Sequence, residues 1–273
     1  MGNALFIVWR ESIEAMLVIG ILHGWLSARP EARAGIPWLW GGVAVGLGLA
    51  AFLAVALTGI RSWLAADALD WFQAIMPLLA CGMIVQMVWW MRRHGAGLKK
   101  GLEAGMSNAA DRANWLGIAV LAAVAVGREG AEAVVFLYGS VKDSSDTDVM
   151  LGGAAGFLLA LAAYWLLSRS SRFISWRVFF RVTEVLLLLL GGALLVDGAE
   201  KLVGLEALPP LADPLWDTSS VLDDGTRGGG LMAAFTGYRA YPSGMAYALL
   251  AIYWVFALGM LLKLKPKARK IRA

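Results

Sequence analysis

The sequence predicts an all-α integral membrane protein of one domain, residues 1–273, with seven transmembrane helices arranged as a 3+3 inverted repeat plus one extra helix. Three observations carry this. Hydrophobic residues make up 59% of the chain and charged residues 16%, against about 25% charged in soluble domains. The apolar residues fall into seven blocks near the ~20 residues that cross a bilayer. The loops between the blocks alternate in charge from one side to the other.

The blocks lie at about 4–26, 38–59, 70–91, 114–138, 149–168, 178–197 and 242–262. The first begins MGNALFIVWRES, with no positive leader and no small-residue cleavage site, and is expected to stay as a helix. Basic residues follow the first, third and fifth blocks and fill the tail. Arg29, Arg33, Arg92, Arg93, Lys99, Lys100, Arg112 and Arg169 are among them, and together they make 17 of the 24. The opposite side holds five, Arg61, Lys142, Lys201, Arg227 and Arg239, and twelve acidic residues. This places the N-terminus outside and the tail in the cytoplasm of a multi-pass protein of the inner (plasma) membrane.

The connection at 198–241 is long and carries Pro209, Pro210, Pro214, Asp223, Asp224 and three consecutive glycines from Gly228. Connections of this length are either flexible or functional. The functional form would be an external lid whose negative field concentrates cations.

Composition removes several function classes. One cysteine, Cys81, allows neither an internal disulfide framework nor a Cys-cluster metal site. Two histidines, His23 and His94, make a haem or His-rich zinc site hard to assemble. The net charge of +4 sits beside apolar blocks and does not suggest nucleic-acid binding.

Two blocks are interrupted by charge. The first contains Arg10-Glu11-Ser12-Ile13-Glu14 and the fourth Arg128-Glu129-Gly130-Ala131-Glu132. Both read Arg-Glu-x-x-Glu near mid-span, where ionisable groups are costly and mark ion or substrate pathways. At 100° per residue the guanidinium and both carboxylates of each motif share one quadrant. Arg and the second Glu are i,i+4 partners. Two such faces together would offer up to eight carboxylate oxygens, the donors hard cations select. Glu11, Glu14, Glu129 and Glu132 are thus the candidate metal ligands, with Arg10 and Arg128 in support. The structural alternative is a pair of buried ion-pair networks that fix helix register. A single motif would leave that alternative strong; the same pattern twice weakens it.

The motifs stand 118 residues apart, Arg10 to Arg128, in spans of opposite direction. Spans 1–3 and 4–6 are therefore expected to be inverted repeats, a transporter plan with its site at the midplane. Gly42, Gly46, Ala50 and Ala54 in the second block, and Gly152, Gly156 and Ala160 in the fifth, have small-residue spacing that permits close helix contact.

On these residues the chain resembles the oxidase-dependent iron transporters, the high-affinity iron permeases, and is nearest their bacterial branch. The resemblance extends to the Thr183 region, to Pro214–Asp217, and to Gly237-Tyr238 and Pro242-Ser243. It implies iron as the transported ion, a partner ferroxidase outside, and the four motif glutamates as the groups that handle iron. It implies no organic cofactor. Two departures stand out: Gln73 in place of a family acid, and Ala131 in place of a bulky residue.

Lesser candidates are Asp67 and Asp70 before the third span and Asp197 and Glu200 at the end of the sixth, as an outer vestibule. Glu184 is an acidic neighbour of the pathway. Met83, Met87 and Met91 are better read as packing than as a soft-metal path, and His23 as a packed residue. The alternative functions are transport of lead, manganese or protons and, from another class, a membrane-embedded enzyme or electron-transfer subunit.

Overall fold

The computed structural model describes residues 2–94, 101–102, 104–107, 114–140, 146–169 and 176–263. Among these residues the structure is helical, with no strand. The elements are α1 (Gly2–Ser27), a 3-10 turn (Pro30–Gly35), α2 (Ile36–Trp63), α3 (Ala66–His94), α4 (Trp115–Ser140), α5 (Asp146–Arg169), α6 (Trp176–Gly204), α7 (Arg227–Thr236) and α8 (Gly244–Lys263). The tail's basic residues beyond Lys263, and Lys99, Lys100, Arg112, Lys142 and Arg172, lie outside the described residues.

Five helices are long and apolar enough to cross a membrane: α2, α3, α5, α6 and α8. α1 and α4 are equally long, 26 residues each, but every 18-residue stretch of each contains its three motif charges. The apolar faces fit a lipid surroundings. On α2, Phe52 and Val55 are 72% and 71% exposed, which in water would be an unfavourable patch.

The chain forms two compact units. The first comprises 1–76 and 99–183 and the second 77–98 and 184–273. In the first unit α2 lies along α4, α1 along α5, and α1 along α4. Val18, Leu22 and Leu26 of α1, Leu39 and Val43 of α2, and Ile118, Ala122 and Val126 of α4 form its buried core.

Glycine sets two of these contacts. A methyl group on Gly46 of α2 would stand 2.8 Å from Gly127 N and 2.9 Å from Ala123 O of α4. One on Gly156 of α5 would fall onto Leu5 O and stand 3.0 Å from Trp9 N of α1. Ala123 and Gly127 follow Leu5 and Trp9 by 118 residues, the spacing of the two motifs. The two helix pairs thus make the same backbone approach twice. A tyrosine reinforces each pair from opposite partners. Tyr164 of α5 covers Gly20 of α1, with its Cζ 3.2 Å from where a Cβ would lie. Tyr138 of α4 bonds Thr58 and donates to Ala54 O of α2 at 3.4 Å.

Because the opposing atoms are backbone, neither contact can yield cheaply. Gly46→Ala is expected to destabilise the protein by about 1–3 kcal/mol. Gly48→Ala on the same helix meets nothing within 4 Å and should leave stability unchanged. Thermal unfolding in detergent micelles checks the pair.

In the second unit, α6 runs to Gly204, seven residues past its predicted end. Asp197 and Glu200 looked like a polar helix end. They are instead paired within the fold, so the helix continues through them. Asp197 meets Arg239 Nη2 at 2.9 Å and Lys201 Nζ at 3.0 Å, and Glu200 Oε1 accepts from Ser243 N at 2.8 Å. The connection predicted at 198–241 therefore begins as helix and contains α7, capped by Thr226 Oγ1 on Gly229 N at 3.1 Å. Gly237 ends α7 at φ +74°, 3.1 Å from Ala193 Cα of α6 by its missing Cβ, a place for glycine on both counts.

The rest of the connection is bonded to the start of α8: Leu215 N to Pro242 O at 2.7 Å, Thr218 N to Ala240 O at 3.1 Å, and Gly244 N to Ala212 O at 2.7 Å. Trp216 stands edge-on to Tyr247, 4.6 Å between centroids. The Ser219 hydroxyl and N–H hold the Asp217 carboxyl below the ordinary carboxylate range. This segment is an ordered cap rather than a flexible strap.

Candidate metal site

The site lies wholly in the first unit, on α1 and α4. These helices run antiparallel. Leu26 in the last turn of α1 and Trp115 and Ile118 in the first turns of α4 all pack on Gly35, at 3.1, 3.0 and 3.0 Å from its Cβ position. Mid-helix, Arg10–Glu14 then stand opposite Arg128–Glu132. Small residues let the helices around the motifs come close. Gly127 faces Gly46, and a Cβ on Gly130 would lie 2.5 Å from Ala50 Cβ.

On α1, Arg10 is 1% exposed and donates from Nη1 to Glu11 Oε1 at 2.6 Å. Its Nη2 is 2.5 Å from Glu14 Oε1. One guanidinium thus holds both acids of its motif, as the shared quadrant predicts. On α4, Arg128 Nε donates to Glu132 Oε1 at 2.8 Å and lies 3.9 Å from Glu129 Oε1. The Arg128 side chain is 37% exposed.

Across the pair, Glu11, Glu14 and Glu129 each offer a carboxylate oxygen, and the three oxygens lie within 4.8 Å of one another. Glu132 is drawn to Arg128 and stands outside this trio. Buried carboxylates at that spacing repel in a low dielectric, and two guanidiniums against four carboxylates leave a formal deficit of positive charge. Glu11 Oε2, Glu129 Oε2 and Glu132 Oε2 are buried and accept no hydrogen bond. Native structures seldom leave such atoms unmet. A hard cation would meet all three needs: charge, lone pairs and spacing.

The other candidates are placed differently. Asp67 and Asp70 are exposed on the first turns of α3. Asp197 and Glu200 tie the cap to α6 and α8. Glu184 is paired with Arg92, whose Nη1 also donates to Leu261 O of α8 at 2.9 Å. That three-helix tie was not anticipated, because Arg92 read as a loop charge. Arg239 likewise read as a loop charge, yet it joins Asp197 to Asp224. His23 packs near Trp40, 6.3 Å between ring centroids. Met87 is buried, with Met83 and Met91 half-buried. Gln73 is half-buried on α3, four residues before Pro77, so the proline deprives its carbonyl of the usual helical donor.

Comparison with known proteins places the chain in a family. The Iron permease FTR1 family matches residues 1–266. Ferrous iron permease EfeU of Escherichia coli O6:H1 strain CFT073 is 26% identical over 255 residues, covering 92% of each chain. EfeU of Shigella sonnei strain Ss046 is 26% identical over 265 residues, 96% of this chain and 95% of its own. EfeU of Yersinia pestis is 24% identical over 268 residues, 96% and 93%. No solved structure matches. With a whole-chain family match, apolar helices of membrane-crossing length and a buried carboxylate trio, the chain belongs to the Iron permease FTR1 family and is a transporter rather than an enzyme.

Proposed function

We propose that the protein imports iron across the inner membrane, passing it between Glu11, Glu14, Glu129 and Glu132 at mid-span. The observation that carries this is the trio of buried carboxylate oxygens within 4.8 Å, contributed by two helices. An ion would shed water for these oxygens, while Arg10 and Arg128 hold the empty site together.

In this reading the chain crosses the membrane seven times, by α1 to α6 and α8. α1 and α4 fall short of the apolar criterion only through the charges that do the work. Spans 1–3 and 4–6 form inverted repeats, supported by the doubled glycine contacts, and α8 is the extra span. The alternation of basic loops puts the N-terminus outside and the tail in the cytoplasm. The exposed Asp67 and Asp70 then face the outside and can gather cations. Asp197 and Glu200 serve the vestibule by fixing the cap.

Oxygen-only ligation by several carboxylates favours ferric iron, a harder ion than ferrous. The chain shows no redox site of its own among the described residues, so the ferric ion would come from an external ferroxidase. A second reading, ferrous cargo, is favoured by the names of the relatives.

Uptake of labelled iron into proteoliposomes decides between them. Ferric citrate should be taken up and ferrous iron under ascorbate should not. The reverse result supports the ferrous reading. Manganese or lead that competes as well as unlabelled iron would overturn iron as the cargo.

A further inference from the structure

α8 gives a ruler for depth. Its 20 residues, Gly244–Lys263, make a helix about 30 Å long, the thickness of a bilayer's hydrocarbon core. With α8 across the membrane, Gly244 lies at one hydrocarbon boundary and Lys263 at the other. The lipid-facing side of α8 carries Ile252, Val255, Phe256 and Leu262, all exposed. Leu262 follows Gly244 by 18 residues, five full turns, so Gly244 lies on that same side.

The cap covers Gly244 from there. A Cβ on Gly244 would stand 3.1 Å from Ala212 N and 3.4 Å from Leu211 Cβ, and Gly244 N donates to Ala212 O at 2.7 Å. Leu211 therefore extends the apolar face of α8 past its first residue, at boundary depth. Leu211 is 68% exposed and holds φ at +63°, a region that glycine and asparagine enter far more easily. In water a leucine there is costly twice, in its backbone and in its bare apolar surface. Against acyl chains the second cost disappears.

Two aromatics stand at the same level. Leu215 N donates to Pro242 O at 2.7 Å, which sets Trp216 and Tyr241 beside the start of α8. Tyr241 is 55% exposed, and its hydroxyl donates to Ser219 Oγ at 2.8 Å. The Trp216 indole N–H donates to Arg239 O at 3.4 Å. Each ring turns its polar atom to the cap and leaves carbon uncovered. Trp and Tyr gather at membrane boundaries for this reason.

We propose that the cap is seated in lipid: Leu211, Trp216 and Tyr241 occupy the glycerol and upper acyl region of the leaflet at the start of α8. The cap is then fastened to the bilayer as well as to α6 and α8. The partner is lipid rather than protein, because the patch continues the lipid face of α8 at its boundary depth. The inference needs α8 to cross the bilayer; neither the direction of crossing nor the cargo enters it.

The test is spin labelling of the full chain in phosphatidylcholine nanodiscs. Cys81→Ser removes the one native cysteine, and Leu211→Cys, Tyr241→Cys and Val255→Cys are made singly in that background. Collisions with oxygen, which concentrates in lipid, are compared with collisions with a nickel chelate, which stays in water. Oxygen is expected to lead severalfold at 255, and to lead by a smaller factor at 211 and 241.

Nickel ahead of oxygen at 211 overturns the proposal, since the leucine then stands in water. Few collisions with either reagent overturn it too, since a partner protein or a second copy then covers the patch. Should Leu211→Cys fail to fold, Tyr241→Cys decides by the same two readings. Nickel ahead at 255 overturns it by a separate route, because α8 would not face lipid and the depth ruler would be lost.

Discussion

Glu129→Gln should lower iron uptake by roughly 100-fold or more, the upper end of what even indirect partners of a metal cost when removed. The substitution keeps size and shape, so packing of α4 is preserved. It removes one of the three converging oxygens and puts an amide N–H₂ toward Glu11 and Glu14. No other acid can take its place, because Glu132 is engaged by Arg128 at 2.8 Å. Uptake of labelled iron in cells that depend on this protein measures the loss, with detergent gel filtration as the check on folding. Uptake by the folded variant at the normal rate would remove Glu129 from the pathway and with it the carboxylate account of transport.

Arg10→Met should destabilise the protein by about 3–5 kcal/mol, the range for stripping one partner from a buried ion pair. Arg10 reaches both acids of its motif, Glu11 at 2.6 Å and Glu14 at 2.5 Å. Its removal leaves both acids uncompensated in a low dielectric. Arg128→Met should cost less than Arg10→Met, because the Arg128 side chain is 37% exposed against 1% for Arg10. Thermal unfolding of the two variants in the same detergent makes the comparison. Equal losses would mean that the two motifs sit in equivalent surroundings, contrary to the asymmetry described above.

Much of this was legible in the sequence, for physical reasons. Charge inside an apolar run cannot be tolerated without purpose, so Arg10, Glu11, Glu14, Arg128, Glu129 and Glu132 announced themselves. The four-residue spacings Gly42–Gly46 and Gly152–Gly156 marked close helix contact, and the structure shows which backbones come near. What stayed hidden depends on tertiary partners. The i,i+4 spacing foretells the Arg128–Glu132 pair, but no spacing rule says that Glu129 would be left with the α1 acids. Nor does sequence distinguish the motif whose arginine is buried from the one whose arginine is part-exposed, since both read alike. Arg92 and Arg239 looked like solvated loop charges because their acids, Glu184 and Asp197, lie 92 and 42 residues away in sequence. The end of α6 was misplaced for the same reason: Asp197 and Glu200 mark a helix end only if nothing pairs with them.

The crossed pairing of helices has a consequence for biosynthesis. α1 finds its neighbours in α4 and α5, and α2 finds its own in α4, rather than each within its own half. Leu5 must wait for Gly156, 151 residues downstream, which at ribosomal rates takes on the order of ten seconds. In the seven-span reading proposed above, α1 then waits in the bilayer with three charges and no α4 to shield them. The internal grip of Arg10 on Glu11 and Glu14 reduces the burden to one net charge, so in that reading the guanidinium that pairs both acids in the finished fold also lowers the cost of holding the newborn helix in the membrane until its mate is made.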